Sequence, residues 1–505
     1  MKRFPQKTHA VAVTVLGLLA GCAIGPDFTR PAAPAVNRYT AELPALQTAS
    51  APVEAGAEQR FVDDADIPEQ WWTLFHSEAL NSLIEQALKN NPTLQQSVAA
   101  LRVAQETTYA QIGSYYPTVT ASFTPTRQKE ALGSVASSAA SGAALFNLHT
   151  AQLSIGYSLD LFGGNRRAVE SLQAQTDAQR FLVEAASLSL ATNVVAAVVQ
   201  EASLRAQIAA TEKMIQIEQE QLELFRRQLA LGAIPEANII AQTATLAQTQ
   251  AQLSPLQKQL AQQRDLIAAL SGRFPSQAPD ETFELSMLQL PQDLPLSLPS
   301  RLVQQRPDVR AAEEQLHSAS AQIGVGMANM LPQLTLTASA GSMATQIDQL
   351  FKAGNGFWSL AGGITQPLFE GGTLLHRKRA AEAAYDEAAA QYRSTVIGAF
   401  QNVADTLQAL HYDAQALQAA AIAERAAADS LAVAHRQVEL GDIGYVSLLV
   451  TEQAYQQALV ALVQAQANRF TDTAALFQAL GGGWWKRAEN NEARNGSAAQ
   501  EFSGK

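Results

Sequence analysis

Cysteine is all but missing from these 505 residues: Cys22 stands alone, so no internal disulfide can form. A single thiol cannot build a thiolate metal cluster either. Charged side chains make up only 16% and aromatic ones only 7%, which leaves Gln, Ser, Thr and Asn to supply much of the polar surface. The formal net charge of −11 comes without any basic stripe, which argues against nucleic acid as a partner. After Cys22 no run of 18 consecutive apolar residues occurs, so a transmembrane helix is not expected, and any crossing of a bilayer must use strands. Catalytic patterns are also missing: there is no Gly-x-Ser-x-Gly, His-Glu-x-x-His or Gly-x-x-x-x-Gly-Lys. "GVG" at Gly324–Gly326 lacks a third glycine, and the seven histidines are dispersed. No catalytic residue, cofactor or metal ligand is expected.

What is present begins with a secretion signal. Lys2, Arg3 and Lys7 precede the short apolar run Val11–Ala20, which falls well below the roughly 20 residues that span a bilayer. Leu19-Ala20-Gly21-Cys22 resembles a bacterial lipobox. That resemblance implies diacylglycerol on the Cys22 thiol, cleavage just before it and acylation of the new amino terminus; Ala23 at the next position favours the outer membrane. Several acyl chains anchor far more firmly than one. The competing reading is a chance cysteine beside an ordinary signal-peptidase site.

The mature chain repeats itself. "RRQLALGAIP" (Arg226–Pro235) returns as "HRQVELGDIG" (His435–Gly444), and "LDLFGG" at Leu159–Gly164 is answered by "QPLFEGG" at Gln366–Gly372. "NNPTLQQSVAALRVA" from Asn90 recurs loosely from Gln305. Each copy contains two runs in which apolar and polar residues alternate. Val119, Ala121 and Phe123 share one face, as do Leu153, Ile155, Tyr157, Leu159 and Leu161. In the second copy the matching faces are Leu334, Leu336, Ala338 and Ala340, and then Trp358, Leu360, Ile364 and Leu368. Alternation over about ten residues predicts membrane β-barrel strands, apolar toward lipid and polar toward a lumen. Four strands cannot close a barrel, and lipid does not tolerate open edges, so the barrel must be shared between chains. The loops Arg127–His149 and Gly341–Gly356, rich in Ser and Gly, suit the extracellular side.

A helical pattern follows each pair of strands and runs for about 67 residues, roughly 100 Å of helix. Ile208, Ile215, Leu222 and Leu229 form one seven-residue series, and Ile217, Leu224 and Leu231 another. In the second copy Leu431 with Val433, and Val438 with Leu440, repeat the pairs. Two stripes on opposite sides predict two packing partners, as in a cylinder wall of coiled coils. The returning helices carry Ile239, Leu246, Leu253, Leu260 and Ile267, and then Leu448, Tyr455, Leu462 and Leu476 with Arg469 as an interruption. Pro255 should kink its helix. Gly232 and Gly441 suit helix C-termini, and Pro235 suits the first turn of the following helix.

The chain therefore divides into a signal peptide (1–21), an N-terminal segment (22–77) and a first repeat (78–272). That repeat would hold a helix, a hairpin at 117–162 and long helices at 165–231 and 235–271. A linker (273–300) leads to a second repeat (301–481) with a helix, a hairpin at 332–368 and long helices at 373–440 and 445–480. A C-terminal segment (482–505) completes the chain, its last dozen residues expected to be disordered.

"QWWTLFHSEALNSLIEQALKNNP" (Gln70–Pro92), the stretch Arg306–Gly341 beginning "RPDVRAAEEQLHSA", the strand-to-helix "PLFEGG" and the two "LGxI" turns resemble the outer-membrane factor family of TolC-like channels. With Cys22, the resemblance is to its lipoprotein branch, of OprM and NodT type, and it covers nearly the whole mature chain. It implies a homotrimer: a twelve-stranded outer-membrane β-barrel continuous with a twelve-helix periplasmic α-barrel. It also implies a periplasmic adaptor and an inner-membrane RND transporter as partners, with outer-membrane lipid around the barrel. The chain would be a passive exit duct for drugs or other small molecules. The duct of a type I protein secretion system, and a non-conducting coiled-coil lipoprotein, are the alternatives.

On that reading Leu231, Gly232, Ile234, Leu440, Gly441 and Ile443 form the periplasmic tips. Pro117, Gly163, Gly164, Pro332, Pro367, Gly371 and Gly372 mark the passage from barrel to helices. Asp442 is a candidate for an aperture ring, in which like charges would push carboxyl pKa values up; a solvated turn aspartate is the competing reading. Arg227 and Arg436, near the tips, either hold the aperture closed or bind the adaptor; a solvated helix face is the competing reading. Trp358 and Tyr157 suit an interface belt or core packing, and the same choice is open for Trp71 and Trp72.

Overall fold

The structure, a computed structural model, describes residues 23–41, 46–129 and 145–486. In chain order the elements are β1 (Arg60–Asp63), α1 (Glu78–Asn90), α2 (Pro92–Ile112), β2 (Thr118–Lys129), β3 (Leu145–Leu159), α3 (Gly164–Ala230) and α4 (Glu236–Leu270). There follow β4 (Asp293–Leu296), α5 (Pro299–Gln305), α6 (Pro307–Ala328), β5 (Gln333–Ala344), β6 (Gly356–Thr365), α7 (Thr373–Leu440) and α8 (Tyr445–Ala479). Two compact units, each discontinuous in sequence, share these elements. The first takes residues up to 31 with 101–178 and 312–392, and the second takes 32–100, 179–311 and 393 onward.

The first unit holds a four-stranded antiparallel sheet in the order β2-β3-β5-β6. Its register places the alternating side chains on shared faces. Val119 pairs with Ile155, Ile155 with Ala338 and Ala338 with Leu360; one step along, Ala121, Leu153, Ala340 and Trp358 form a parallel row. Thr120, Ser154, Ser339 and Ser359 make the intervening row, so they lie on the opposite face. Trp358, Leu360 and Ile364 are largely exposed in the single chain, as are Val119 and Phe123. Two expectations need correction. Leu161 and Leu368 fall beyond the ends of β3 and β6, and β5 runs on to Ala344, so the second hairpin loop is shorter than 341–356. The loop also has structure of its own: Ser342 Oγ donates to the Leu350 and Asn355 carbonyls. Most of the other expected loop, 130–144, lies outside the described residues.

The long helices dominate the second unit. Within α3 the buried stripe runs Leu204, Gln207, Thr211, Met214, Glu218, Leu222 and Phe225, a three-and-four spacing that makes a coiled-coil seam. The apolar series at Ile208 and Ile215 flanks this seam half-buried, while Leu224 and Leu231 are exposed. The seam is thus centred on positions that are often polar. In α8 the same holds: Leu448, Glu452, Gln456, Leu462, Gln466, Arg469, Thr473 and Leu476 are all buried. Arg469 occupies a seam position rather than breaking one. An 18-residue window of α3 reaches a mean hydropathy of 1.8; Leu190, Ala191, Val194, Val195, Val198 and Val199 of this helix are buried in the unit. Helix α4 continues through Pro255 without interruption.

The N-terminal part of the second unit wraps onto these helices. Trp71 and Trp72 are core residues: Trp71 stacks on Phe477 at 5.2 Å, and Phe75 lies 6.2 Å from Phe470. A short parallel pairing of β1 with β4, Arg60 opposite Asp293, ties the N-terminal segment to the linker. Phe181 packs edge-on to Trp484 between the Arg180 and Arg310 guanidinium groups.

Candidate functional site

Cys22 lies just outside the described residues, but the segment that follows it is fixed in the first unit. Ile24 N–H donates to the Phe162 carbonyl at 3.0 Å. Arg167, near the start of α3 and almost wholly buried, reaches back to this segment: Nε donates to the Ile24 carbonyl and Nη2 to Asp27 Oδ1, while Nη1 pairs with Glu170 at 2.8 Å. His317 of α6 bridges Glu170 and Glu314, at 3.1 and 3.2 Å, and stacks on Phe28. Arg30 pairs with the buried Glu313. Three glycines make the close approach possible. A Cβ at Gly163, where φ is +76°, would come within 2.6 Å of Ala23 Cα, and one at Gly25 within 2.5 Å of Gly324 Cα.

The expected junction residues flank the strands. Pro117 and Pro332 immediately precede β2 and β5, Pro367 follows β6, and Gly371 and Gly372, both at positive φ, lead into α7. Gly164 opens α3. Its first turn is capped by Asp160, whose carboxylate accepts from the N–H groups of Asn165 and Arg166 at 3.1 and 2.9 Å. An anionic cap at a helix N-terminus also complements the helix dipole. A cavity of about 240 Å³ beside this cap is lined by Asp160, Asn165, Gln111 and Asn329.

In the second unit the two helix-to-helix turns share one construction. Gly232 (φ +71°) and Gly441 (φ +78°) are left-handed, and the next N–H groups, of Ala233 and Asp442, reach back to the Gln228 and Gln437 carbonyls at 2.9 and 2.8 Å. This is a Schellman close, for which glycine carries no Cβ strain. Pro235 stands at the N-cap of α4, one residue before the first turn where it was expected. Leu231 and Leu440 are exposed, whereas Ile234 and Ile443 are half-buried. Ile443 packs on Leu431, Ala434 and Leu448. Phe225 meets Tyr445 edge-on at 3.9 Å, and Tyr445 Oη donates to Gln228 Oε1, so the two turns are joined within the chain.

Asp442, Arg227 and Arg436 are all exposed. Among the described residues no ion pair or hydrogen bond brings these three together. Three of the ionisable groups that the structure buries, Glu218, Glu452 and Arg469, sit in helix seams, where the apolar periodicity of the sequence gives no sign of a packed position. Among the described residues no cluster of three or more His, Cys, Asp or Glu side chains could hold a metal ion.

The family model described as outer membrane efflux protein matches residues 83–273 and 298–482, one stretch in each repeat. Probable efflux pump outer membrane protein TtgC of Pseudomonas putida is 28% identical over 483 residues, covering 95% of this chain and 96% of the relative. Outer membrane protein OprJ of Pseudomonas aeruginosa is 27% identical over 485 residues, covering 94% and 95%. Among solved structures, the outer-membrane channel OprN superposes with a TM-score of 0.81 at 26% identity, over 92% of this chain and 100% of that one. VceC of Vibrio cholerae does so with a TM-score of 0.76 at 29% identity, over 83% and 100%. The fold is that of TolC-like outer-membrane channels. With both repeats matched and a sheet whose apolar residues share one exposed face, the chain belongs to the outer membrane efflux protein family and is a protein of the outer membrane.

Proposed function

We propose that three copies of this chain form the passive exit duct of a tripartite efflux pump, taking drugs or other small molecules from a periplasmic adaptor and an RND-type transporter. The observation that carries this reading is the register of the sheet. Four strands align their apolar side chains on one face, while β2 and β6 each keep an edge that no strand among the described residues pairs with. In lipid such edges must pair, so the sheet closes only with copies of itself. A spacer lipoprotein has no use for that arrangement. The relatives' names fit the efflux reading.

The turns at Gly232 and Gly441, with exposed Leu231 and Leu440 beside them, are the proposed contact with the adaptor. Exposed apolar groups at a rigid turn favour a partner surface. Asp442, Arg227 and Arg436 are the proposed aperture groups, three copies of each around the axis.

Deleting the gene is expected to raise intracellular accumulation of dyes and antibiotics, measured by fluorescence and by growth inhibition. Unchanged accumulation together with loss of a secreted protein would overturn the efflux reading in favour of a secretion duct. Lipidation at Cys22 is proposed as a sorting and auxiliary anchor. Cys22→Ser is expected to lose acylation, read by intact mass, yet keep its oligomer, because the shared strands hold the membrane independently of the lipid. Loss of the oligomer in that variant would make the lipid indispensable.

A further inference from the structure

A few turns from the interhelical turns, the second unit buries two carboxyl groups in the seams of its long helices. Glu218 of α3 and Glu452 of α8 are 2% and 1% exposed. Glu218 Oε1 accepts from Thr249 Oγ1 of α4 at 2.9 Å, but Oε2 has no hydrogen-bond partner, and neither oxygen of Glu452 has one. Gln242 of α4, wholly buried, donates to the Glu218 backbone carbonyl at 3.3 Å and leaves its own Oε1 unsatisfied. A cavity of about 130 Å³ adjoins Glu218, lined also by Thr245, Thr249, Val446, Val450 and Gln453. The other side opens differently: His435 of α7, with its side chain 40% exposed, stands 4.0 Å from Glu452 Oε1 and lines a second cavity with Glu220, Glu439 and Tyr445.

Two ionised carboxylates cannot share a buried site that offers so few donors. His435 of α7 faces Glu452 directly; Glu220 of α3, Glu439 of α7 and Tyr445 of α8 line the cavity on the His435 side, and Tyr455 of α8 packs on the adjoining Leu448 cluster, while the α4 neighbours Gln242, Thr245, Gln248, Thr249 and Gln252 are all uncharged. His435 alone among these can be a cation. Burial first, and the Glu218 charge second, push Glu452 up from 4.5 to about 7, and burial likewise raises Glu218.

We propose that Glu452 and Glu218 form a proton-operated latch: neutral Glu452 keeps α8 packed against α3 and α4, and release of its proton to bulk water draws water into the adjoining cavity and loosens the helices near their turns. The consequence for opening a duct rests on the function proposed above, but the latch itself is a property of the folded chain. Its direction follows from linkage. The packed form holds a proton that an opened form, with an ordinary carboxyl, gives up; packing is therefore strongest below about pH 4.5, weakens toward about pH 7 and is flat above.

Hydrogen exchange of the full detergent-solubilised protein tests this, read on residues 211–225 and 445–460 after correction for intrinsic rates. Between about pH 5 and about pH 8 the opening equilibrium of these segments should rise on the order of 50- to 100-fold, and Glu452→Gln should abolish the rise. An equal rise in Glu452→Gln overturns the latch. Infrared difference spectra of the unaltered protein supply a second readout that needs no variant. A protonated-carboxyl band that disappears with a midpoint near pH 7 supports the latch, and absence of any such band, as in a permanent ion pair with His435, overturns it. Both readouts are independent of transport, so failure of the efflux assay would leave them interpretable.

Discussion

Leu153→Arg is expected to abolish the assembled oligomer, whereas Ser154→Arg is expected to leave it intact and turn the pore toward anions. The two residues are neighbours on β3, yet the register sends them to opposite faces. Leu153 joins the apolar row with Ala121, Ala340 and Trp358, and Ser154 joins the polar row with Thr120, Ser339 and Ser359. An arginine facing lipid near the bilayer midplane costs about 2–4 kcal/mol, and a closed barrel of three copies incurs it three times. An arginine facing the lumen remains hydrated and changes only the field that an ion meets. Semi-native electrophoresis reads the first effect, and reversal potentials in a planar bilayer read the second. Equal tolerance of both substitutions would mean that the apolar face does not meet lipid.

The second large effect is expected at Arg469. Its side chain is wholly buried, and Nη2 donates to Thr48 Oγ1, the Ala57 carbonyl and Gln59 Oε1, the last at 2.8 Å. Gln59 in turn donates to Thr473 Oγ1 and the Pro291 carbonyl, both at 2.9 Å. The guanidinium thus joins α8 to the N-terminal segment, and Gln59 carries the connection on to the linker. Burial lowers its pKa to about 10, which still leaves it charged at neutral pH. Asp472 close by is raised to about 7, by burial first and then by Asp413, with Arg469 opposing. Arg469→Ala would strip the segment around Gln59 of its donor and let Asp472 rise further. Breaking a buried charged network by removing one partner costs about 3–5 kcal/mol. Limited proteolysis should then cut between residues 47 and 60, and the denaturation midpoint should fall. Unchanged protection would mean that the aromatic contacts of Trp71 and Phe75 hold the segment without help.

These two sites differ in how far the sequence reveals them. Strands announce themselves because the pleat has a period of two and lipid enforces one face, so Leu153 could be assigned before its partners were known. The turns were legible for a related reason: left-handed closure of a helix strongly favours glycine, and Gly232 and Gly441 recur in matching surroundings. The seams were read less well. A search for apolar periodicity treats Thr211, Glu218, Glu452 and Arg469 as gaps, although each occupies a packed position. Arg469, taken as an interruption, is the anchor. The Arg167 contacts with Ile24 and Asp27 were also out of reach, since they join segments about 140 residues apart with no repeating pattern. The β1–β4 pairing, four residues on each side and more than 200 apart, gives no periodic signal either.

A duct requires that the four-stranded sheet be completed by other copies of the chain. Native mass spectrometry of the detergent-extracted protein counts the chains directly. Three chains in one particle, each close to the 53.9 kDa of the full sequence less its signal peptide, is the predicted result. A single chain whose β2 and β6 amides are nevertheless protected from exchange would contradict it.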